Sequence, residues 1–243
     1  MEQAYKLLAQ QQEISNKKAK TLIDRGLVFV GDRQLKIARA PLPNDTTFRI
    51  EMPEDITVIY EDEEMVAVNK PAGIDSYEVQ DAIAGAELLH RLDRDTSGVL
   101  LLGKQEGFIK EAIRAFKQRK VTKEYIAWVE GVVYEEMEIT APIHTIKKGK
   151  AFSKIDERLG KPAHTVVTPD EVQGKKSKVK ITITTGRTHQ IRVHLGYVGH
   201  PIVGDEQYGS RTRAKRMLLH ARKISLLGRE YEAPTPADIK RYK

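Results

Sequence analysis

Cysteine is missing from the 243-residue sequence, so disulfides, thiol nucleophiles and cysteine-held zinc or iron-sulfur centres are excluded. No stretch approaches the roughly 20 apolar residues that a membrane-spanning helix needs. The opening Met1-Glu2-Gln3-Ala4-Tyr5-Lys6 has no apolar signal core. These absences set the expectation of a cytoplasmic protein with no membrane partner. Acidic residues are also in deficit: 34 Asp and Glu face 41 Lys and Arg, a formal charge of +7 with a pI near 9.3. That balance favours a polyanionic partner without identifying one. What is present, 40% hydrophobic residues over 243 positions, is enough to build a core in one large domain or two.

The densest chemistry lies in His90-Arg91-Leu92-Asp93-Arg94-Asp95-Thr96-Ser97-Gly98, followed by Val99-Leu100-Leu101-Leu102. Four consecutive aliphatic residues must be buried, so this is a charged loop fixed to the end of a core strand. Asp93 stands between Arg91 and Arg94, and an arginine held near a carboxylate favours its charged form and aims it, as a nucleophile or general base requires. The plainer alternative is a turn in which Asp95 or Thr96 caps backbone amides and the arginines pair locally.

Upstream, residues 16–25 read as a helix capped by Ser15 or Asn16 and ended by Gly26. Ala19, Leu22 and Ile23 share one face, and Lys17, Lys18, Lys20 and Arg25 project from the rest. Leu27-Val28-Phe29-Val30 is a strand with Phe48-Arg49-Ile50 as its partner. Between Ile14 and Arg39 there are seven Lys and Arg against two Asp, a density that suits phosphate contacts and equally a solvated helix face. Met52-Pro53-Glu54-Asp55 is the linker, which divides the chain into domains 1–53 and 54–243. Beyond it come a hairpin (56–60 and 65–69), a helix over 108–116 with the stripe Phe108, Ile109, Ala112, Ile113 and Phe116, and a basic turn containing Lys120. The next strand runs from Val121 to Val129, with Lys123, Tyr125, Ala127 and Val129 on one face. Lys147-Lys148-Gly149-Lys150 and Gly174-Lys175-Lys176-Ser177-Lys178 read as exposed hairpin turns. A last helix is expected from Thr188 as N-cap to Gly199, with Ile191, Leu195 and Val198 inward and Arg192 off that stripe. His189 and His194 are five apart and point different ways, which argues against a metal pair.

Taken together, the string from His90 to Gly98 resembles the signature of the RluA-type RNA pseudouridine synthases. Further matches are Val66-Ala67-Val68-Asn69-Lys70-Pro71-Ala72-Gly73, Lys123-Glu124-Tyr125 and Gly186-Arg187-Thr188-His189-Gln190-Ile191-Arg192. The lysine-bearing helix, the string Gly26-Leu27-Val28-Phe29-Val30-Gly31 and the strand after it resemble the ribosomal S-four type RNA-binding domain. The chain departs from the family between Gly73 and His90, where the usual loop is longer, and at Glu206-Gln207, where Pro-Leu is usual.

The resemblance implies an α+β fold, a mixed and mainly antiparallel central sheet with flanking helices, joined to a small N-terminal αβ RNA-binding domain. It implies isomerisation of uridine to pseudouridine in RNA without cofactor or metal. Asp93 becomes the catalytic residue, as a nucleophile at the anomeric carbon or a base taking the neighbouring ribose proton. Arg192 pairs with Asp93, Tyr125 stacks on the uracil, Arg91 fills the gap left by the flipped base, and Ile191 borders the substrate. Lys17, Lys18, Lys20, Arg25 and Lys120 are the RNA contacts, together with basic stretches at 110–123, 147–154 and 211–216. The expected partner is 23S ribosomal RNA, with transfer RNA second, and the expected state is a monomer. The rival readings are an RNA-binding assembly factor without chemistry and an aspartate-histidine hydrolase of nucleic acid.

Overall fold

The computed structural model describes residues 1–50, 55–146 and 151–242. The chain divides into two compact units, Met1–Asp55 and Ile56–Lys243. Residues 51–54, most of the linker read from the sequence, and the turn 147–150 lie outside the described residues.

In the first unit, helices Ala4–Gln11 and Asn16–Asp24 pack on a three-stranded antiparallel sheet ordered Arg33–Gln34, Val28–Val30, Arg49–Ile50. Ser15 caps the second helix, its hydroxyl accepting from the Lys18 amide at 3.2 Å. Gly26 follows in the left-handed region (φ +69), beside the Gln34 side chain. Ala4, Leu8, Ala19, Ile23 and Val28 form the centre of this small core.

The second unit is built on a ten-stranded sheet among the described residues. Its main path uses β1 (Thr57–Glu61), β2 (Met65–Lys70), β3 (Ser97–Gly103), β4 (Thr122–Glu130), β5 (Met137–Ile139), β6 (Thr165–Gln173), β7 (Lys176–Ile183) and β8 (Leu219–Leu226). The spatial order is β5-β6-β7-β4-β8-β3-β2-β1, with Glu87–Leu88 beside β3 and Arg229–Glu232 beside β8. Only β8 with β3 is parallel; the other pairings are antiparallel. This is the mixed, mainly antiparallel α+β architecture that the resemblance implied.

β3 is buried at every position, because both faces of the sheet are covered. Val66, Val68, Leu100 and Leu102 join one core with Tyr125, Ile181 and Ile191. Met65, Ala67, Val99 and Leu101 join the other, under the helix Glu106–Lys117. That helix presents Phe108, Ala112 and Ala115 to the sheet. Ile113, assigned to the stripe from its spacing, is 40% exposed, since a helix turned to bury 108, 112 and 115 carries 113 away from the sheet.

Between Gly73 and His90 the chain forms a helix, Ser76–Ala82, and the short strand Glu87–Leu88. Its first turn is closed by Glu78, whose carboxylate accepts from the Asp75 amide at 2.8 Å. Gly98 opens β3 with φ +119, and a Cβ there would lie 2.1 Å from the Ala221 carbonyl oxygen. Glycine is therefore what lets the parallel pair β3 and β8 approach at the mouth of the Asp93 loop. Among the described residues, no helix is long and apolar enough to cross a membrane.

Candidate active site

Asp93 sits on an irregular loop whose position is set by the residues either side of it. The Leu92 amide donates to the buried Ser76 hydroxyl at 3.0 Å, and that hydroxyl donates back to the Leu92 carbonyl at 3.1 Å. On the other side the Arg94 carbonyl accepts from Gly73 N at 2.9 Å and from Lys70 Nζ at 3.0 Å. Lys70 also donates to the carbonyls of Pro71 and Ile74, both at 2.9 Å, so three ammonium protons meet three carbonyls. The residue is 0% exposed. Burial pushes its pKa down to about 8 against the opposing pull of Asp95, Asp75 and Asp93. Lys70 is thus a clamp that ties the 70–74 turn to the Asp93 loop.

The arginine that meets Asp93 comes from far along the chain. Arg192 Nη1 donates to Asp93 Oδ2 at 3.2 Å, while Nε and Nη2 grip Asp205 at 2.7 and 2.9 Å. Nη2 also donates to Gln207 Oε1 at 3.1 Å. The Asp93 side chain is 26% exposed and that of Asp205 only 2%, so one carboxylate faces outward and the other is a buried anchor. Burial works against the Arg192 charge, but the hydrogen bonds and field of Asp205, then of Asp93, outweigh it and hold the guanidinium above its ordinary range.

The sequence neighbours Arg91 and Arg94 do not take this role. Arg94 Nε donates to Gly73 O at 3.1 Å, and Arg91 turns to Tyr77, 3.4 Å from its hydroxyl and 5.8 Å from its ring centre. Adjacent side chains on an extended loop diverge, so proximity in sequence did not become proximity in space.

Arg192 projects from the helix Gln190–Tyr197. Its N-cap is His189 in the left-handed conformation (φ 56), not Thr188. The turn is folded instead around Gln190, whose Oε1 accepts from the Arg187 amide at 3.0 Å and the Thr185 hydroxyl at 2.9 Å. The unusual φ turns the His189 ring inward: Nδ1 lies 2.7 Å from the Tyr208 hydroxyl and Nε2 3.9 Å from Asp93 Oδ2. The Tyr208 ring in turn lies under the Arg192 guanidinium at 4.9 Å. His194, by contrast, is buried between the Thr165 hydroxyl and the Ala141 carbonyl, at 2.9 and 2.8 Å.

Tyr125, on β4, packs in the same core as Leu92 and Ile191. Burial, then the nearby Asp93 charge, raises its phenol above the ordinary range. It is therefore a neutral aromatic surface with a firmly held proton at physiological pH. Two residues earlier, Lys123 is 9% exposed with its ammonium 5.6 Å over the Phe116 ring, and burial pushes it down to about 8. Asp93, Tyr125, Arg192 and Ile191 are thus gathered from a loop, a strand and a helix, with Arg91 at the exposed rim beside Tyr77.

The basic residues read as RNA contacts divide. Lys17, Lys18 and Lys120 are exposed. Lys20 lies 4.1 Å over the Tyr5 ring and Arg25 is half-buried, so these two do not project freely from the helix. Arg216, part of the expected 211–216 basic run, grips Asp238 at 2.7 and 2.8 Å and reaches the Ser97 hydroxyl at 3.4 Å. Lys178 is held by Asp170 and Glu171. Both are structural ties because carboxylates on adjoining elements reach them before solvent does. Lys147, Lys148 and Lys150 fall outside the described residues.

Asp205, Tyr208, His189 and Ser76 have roles that sequence reasoning missed. One signal was available: an arginine on a helix turned into a core needs more than one partner, and the Gly204-Asp205 pair lay ten-odd residues downstream.

Residues 80–197 match the family model described as RNA pseudouridylate synthase. A Helicobacter pylori protein named "Uncharacterized RNA pseudouridine synthase" is 52% identical over 98% of this chain and 99% of its own. The ribosomal large subunit pseudouridine synthase C of Haemophilus ducreyi is 34% identical over 74% of this chain and 62% of its own. Among solved structures, human RNA pseudouridylate synthase domain containing 1 superposes with a TM-score of 0.65 at 30% identity, over 76% of this chain and 84% of its own.

Proposed function

The chain belongs to the RNA pseudouridylate synthase family and acts as a pseudouridine synthase on RNA; from that premise we propose that Asp93 is the carboxylate on which the isomerisation turns. The bond from ribose C1′ to the uracil N1 breaks, the base rotates, C5 bonds to C1′, the C5 proton is lost to water, and N1 takes up a proton in its place. A uridine reaches the carboxylate only after leaving its stack, at a cost of a few kcal/mol. Tyr125 supplies the apolar ring against which the extruded uracil lies, and Ile191 the adjoining wall. Arg91, at the rim, occupies the place the base has left. Asp93 then attacks C1′ or takes the proton at C2′, and Arg192 holds it in line for either role.

The observation that carries this reading is the guanidinium of Arg192 spanning Asp93 and the buried Asp205. A side chain anchored so firmly at one end presents a fixed donor at the other. The exposed Lys17, Lys18 and Lys120 follow the phosphate backbone, with residues 1–53 as an S-four-like RNA-binding domain. Two features lean towards 23S ribosomal RNA ahead of transfer RNA: the large-subunit relative and the attached basic unit. The protein works as a cytoplasmic monomer and takes no cofactor.

Incubation with uridine-5-tritiated ribosomal and transfer RNA tests the proposal. Tritium is expected in water from 23S RNA without strand cleavage. Asp93→Asn is expected to abolish release while RNA binding on filters persists. Ordinary turnover by that variant would remove Asp93 from the mechanism, and release from transfer RNA alone would overturn the choice of substrate.

A further inference from the structure

One aromatic ring beside the site has no role in the reaction proposed above. Phe152 lies on the antiparallel hairpin Ile143–Ile146 with Phe152–Ile155, and it is 38% exposed. Its ring is stacked on Tyr208, with centroids 5.5 Å apart and planes 8° from parallel. Tyr208 is the ring that lies under Arg192 and bonds His189. A continuous series of contacts therefore leads from Asp93 through Arg192 and Tyr208 to a phenyl ring at the surface.

The backbone on both sides of Phe152 is tied to the same segment. The Ala151 carbonyl accepts from Gln207 Nε2 at 3.3 Å, and the Ser153 amide donates to the Tyr208 hydroxyl at 2.9 Å. Gln207 in turn accepts from Arg192. The position of the Phe152 ring is thus geared to the catalytic arginine, although the residue carries no polar atom that could touch the chemistry. A large apolar ring partly in water, fixed by two backbone anchors and a stacked neighbour, offers a flat apolar face to an occupant.

We propose that Phe152 is a stacking platform for a nucleobase flanking the reacting uridine in the RNA substrate. The proposal rests on the reading that RNA lies across Asp93. It adds a binding subsite for a neighbouring nucleotide, one that is tolerant of base identity because every base offers a π face. Gln207 then has a purpose: its amide links the platform to Arg192.

The test uses bulk 5-tritiated ribosomal and transfer RNA with the full chain. Phe152→Leu keeps apolar bulk and removes the flat face. It is expected to lower turnover at limiting RNA roughly tenfold while leaving the rate at saturating RNA nearly unchanged, and Phe152→Tyr is expected to restore the wild-type value. A direct readout comes from Phe152→Trp combined with Asp93→Asn, in a chain whose one native indole, Trp128, is 0% exposed. Adding the same RNA, unlabelled, is expected to quench the new emission. A Phe152→Leu variant within twofold of wild type, a Phe152→Tyr variant that fails to recover, or an emission that RNA leaves unchanged overturns the platform. Quenching together with no tritium release from the wild-type chain overturns the proposed reaction instead.

Discussion

Lys17 and Lys18 of the first unit and a set of cations in the second live under opposite conditions. In residues 1–55, Lys17 and Lys18 stand in solvent on a helix whose other face makes the core. In residues 56–243, Lys70, Lys123 and Arg192 are each less than a tenth exposed. A solvated lysine attracts a polyanion over a distance and is replaceable by its neighbours, with contributions that add. A buried one is held by named partners, and removing it strands them. The difference teaches that the net charge of +7 reports two unrelated functions, long-range attraction and local geometry.

The largest expected departure from that contrast is at Arg192. Arg192→Leu leaves Asp205 buried without its partner, and should cost roughly 3–5 kcal/mol in urea unfolding and about a hundredfold or more in turnover. Adding Asp205→Leu is expected to recover much of the stability and none of the activity. A double variant as unstable as the single one would break the distinction between anchor and catalytic partner. Lys70→Met comes next. Three carbonyls lose their donor, so a loss of about 3 kcal/mol is expected, together with slower turnover as the Asp93 loop drifts. Denaturation and tritium release measured on one preparation check both.

Two histidines with depressed pKa values extend the comparison to pH. His90 accepts from the Leu101 amide at 3.2 Å, and burial, then the Lys123 charge, depresses its pKa to about 3; burial likewise depresses His220 to about 4. Their unfolded counterparts titrate near 6.5, so the unfolded chain binds more protons between those values. Stability from these groups is complete above pH 6.5 and is lost as pH falls towards 4, on the order of a few kcal/mol. His220→Gln is expected to flatten the acid limb of a plot of unfolding free energy against pH; an unaltered slope would contradict the assignment. The smallest effect belongs to the first unit. Lys17→Ala with Lys18→Ala should weaken RNA binding less than tenfold and make the slope of log K against log salt shallower by about one or two, with no change in melting temperature. A lost fold in that variant would erase the contrast between the units.

Much of this was readable from spacing. The four-residue aliphatic run at 99–102 announced a buried strand, and the hairpin 57–61 with 65–70 follows from alternation broken by an acidic turn. The Ser15 cap followed from the preference of short hydroxyl side chains for helix starts. Departures occurred where a distant partner overrode a local rule. Thr188 has cap chemistry, yet Gln190 bonded the turn and pushed the boundary to a left-handed His189. Ile113 fits a helical stripe, yet the sheet selected 108, 112 and 115. Arg91 and Arg94 flank Asp93 in sequence, yet Gly73 and Tyr77 engaged them.

What the order of residues determined alone is the inventory: a charged loop at the foot of a core strand, an aromatic strand after a basic turn, and an arginine early in a late helix. What only the tertiary structure decided is which of these meet. Hydrogen bonds and ion pairs act over a few ångströms, while Arg192 lies 99 positions from Asp93 and 13 from Asp205. Sheet order brings β7, β4, β8 and β3 side by side, and the fold built on that sheet brings the Arg192 guanidinium to the Asp93 carboxylate.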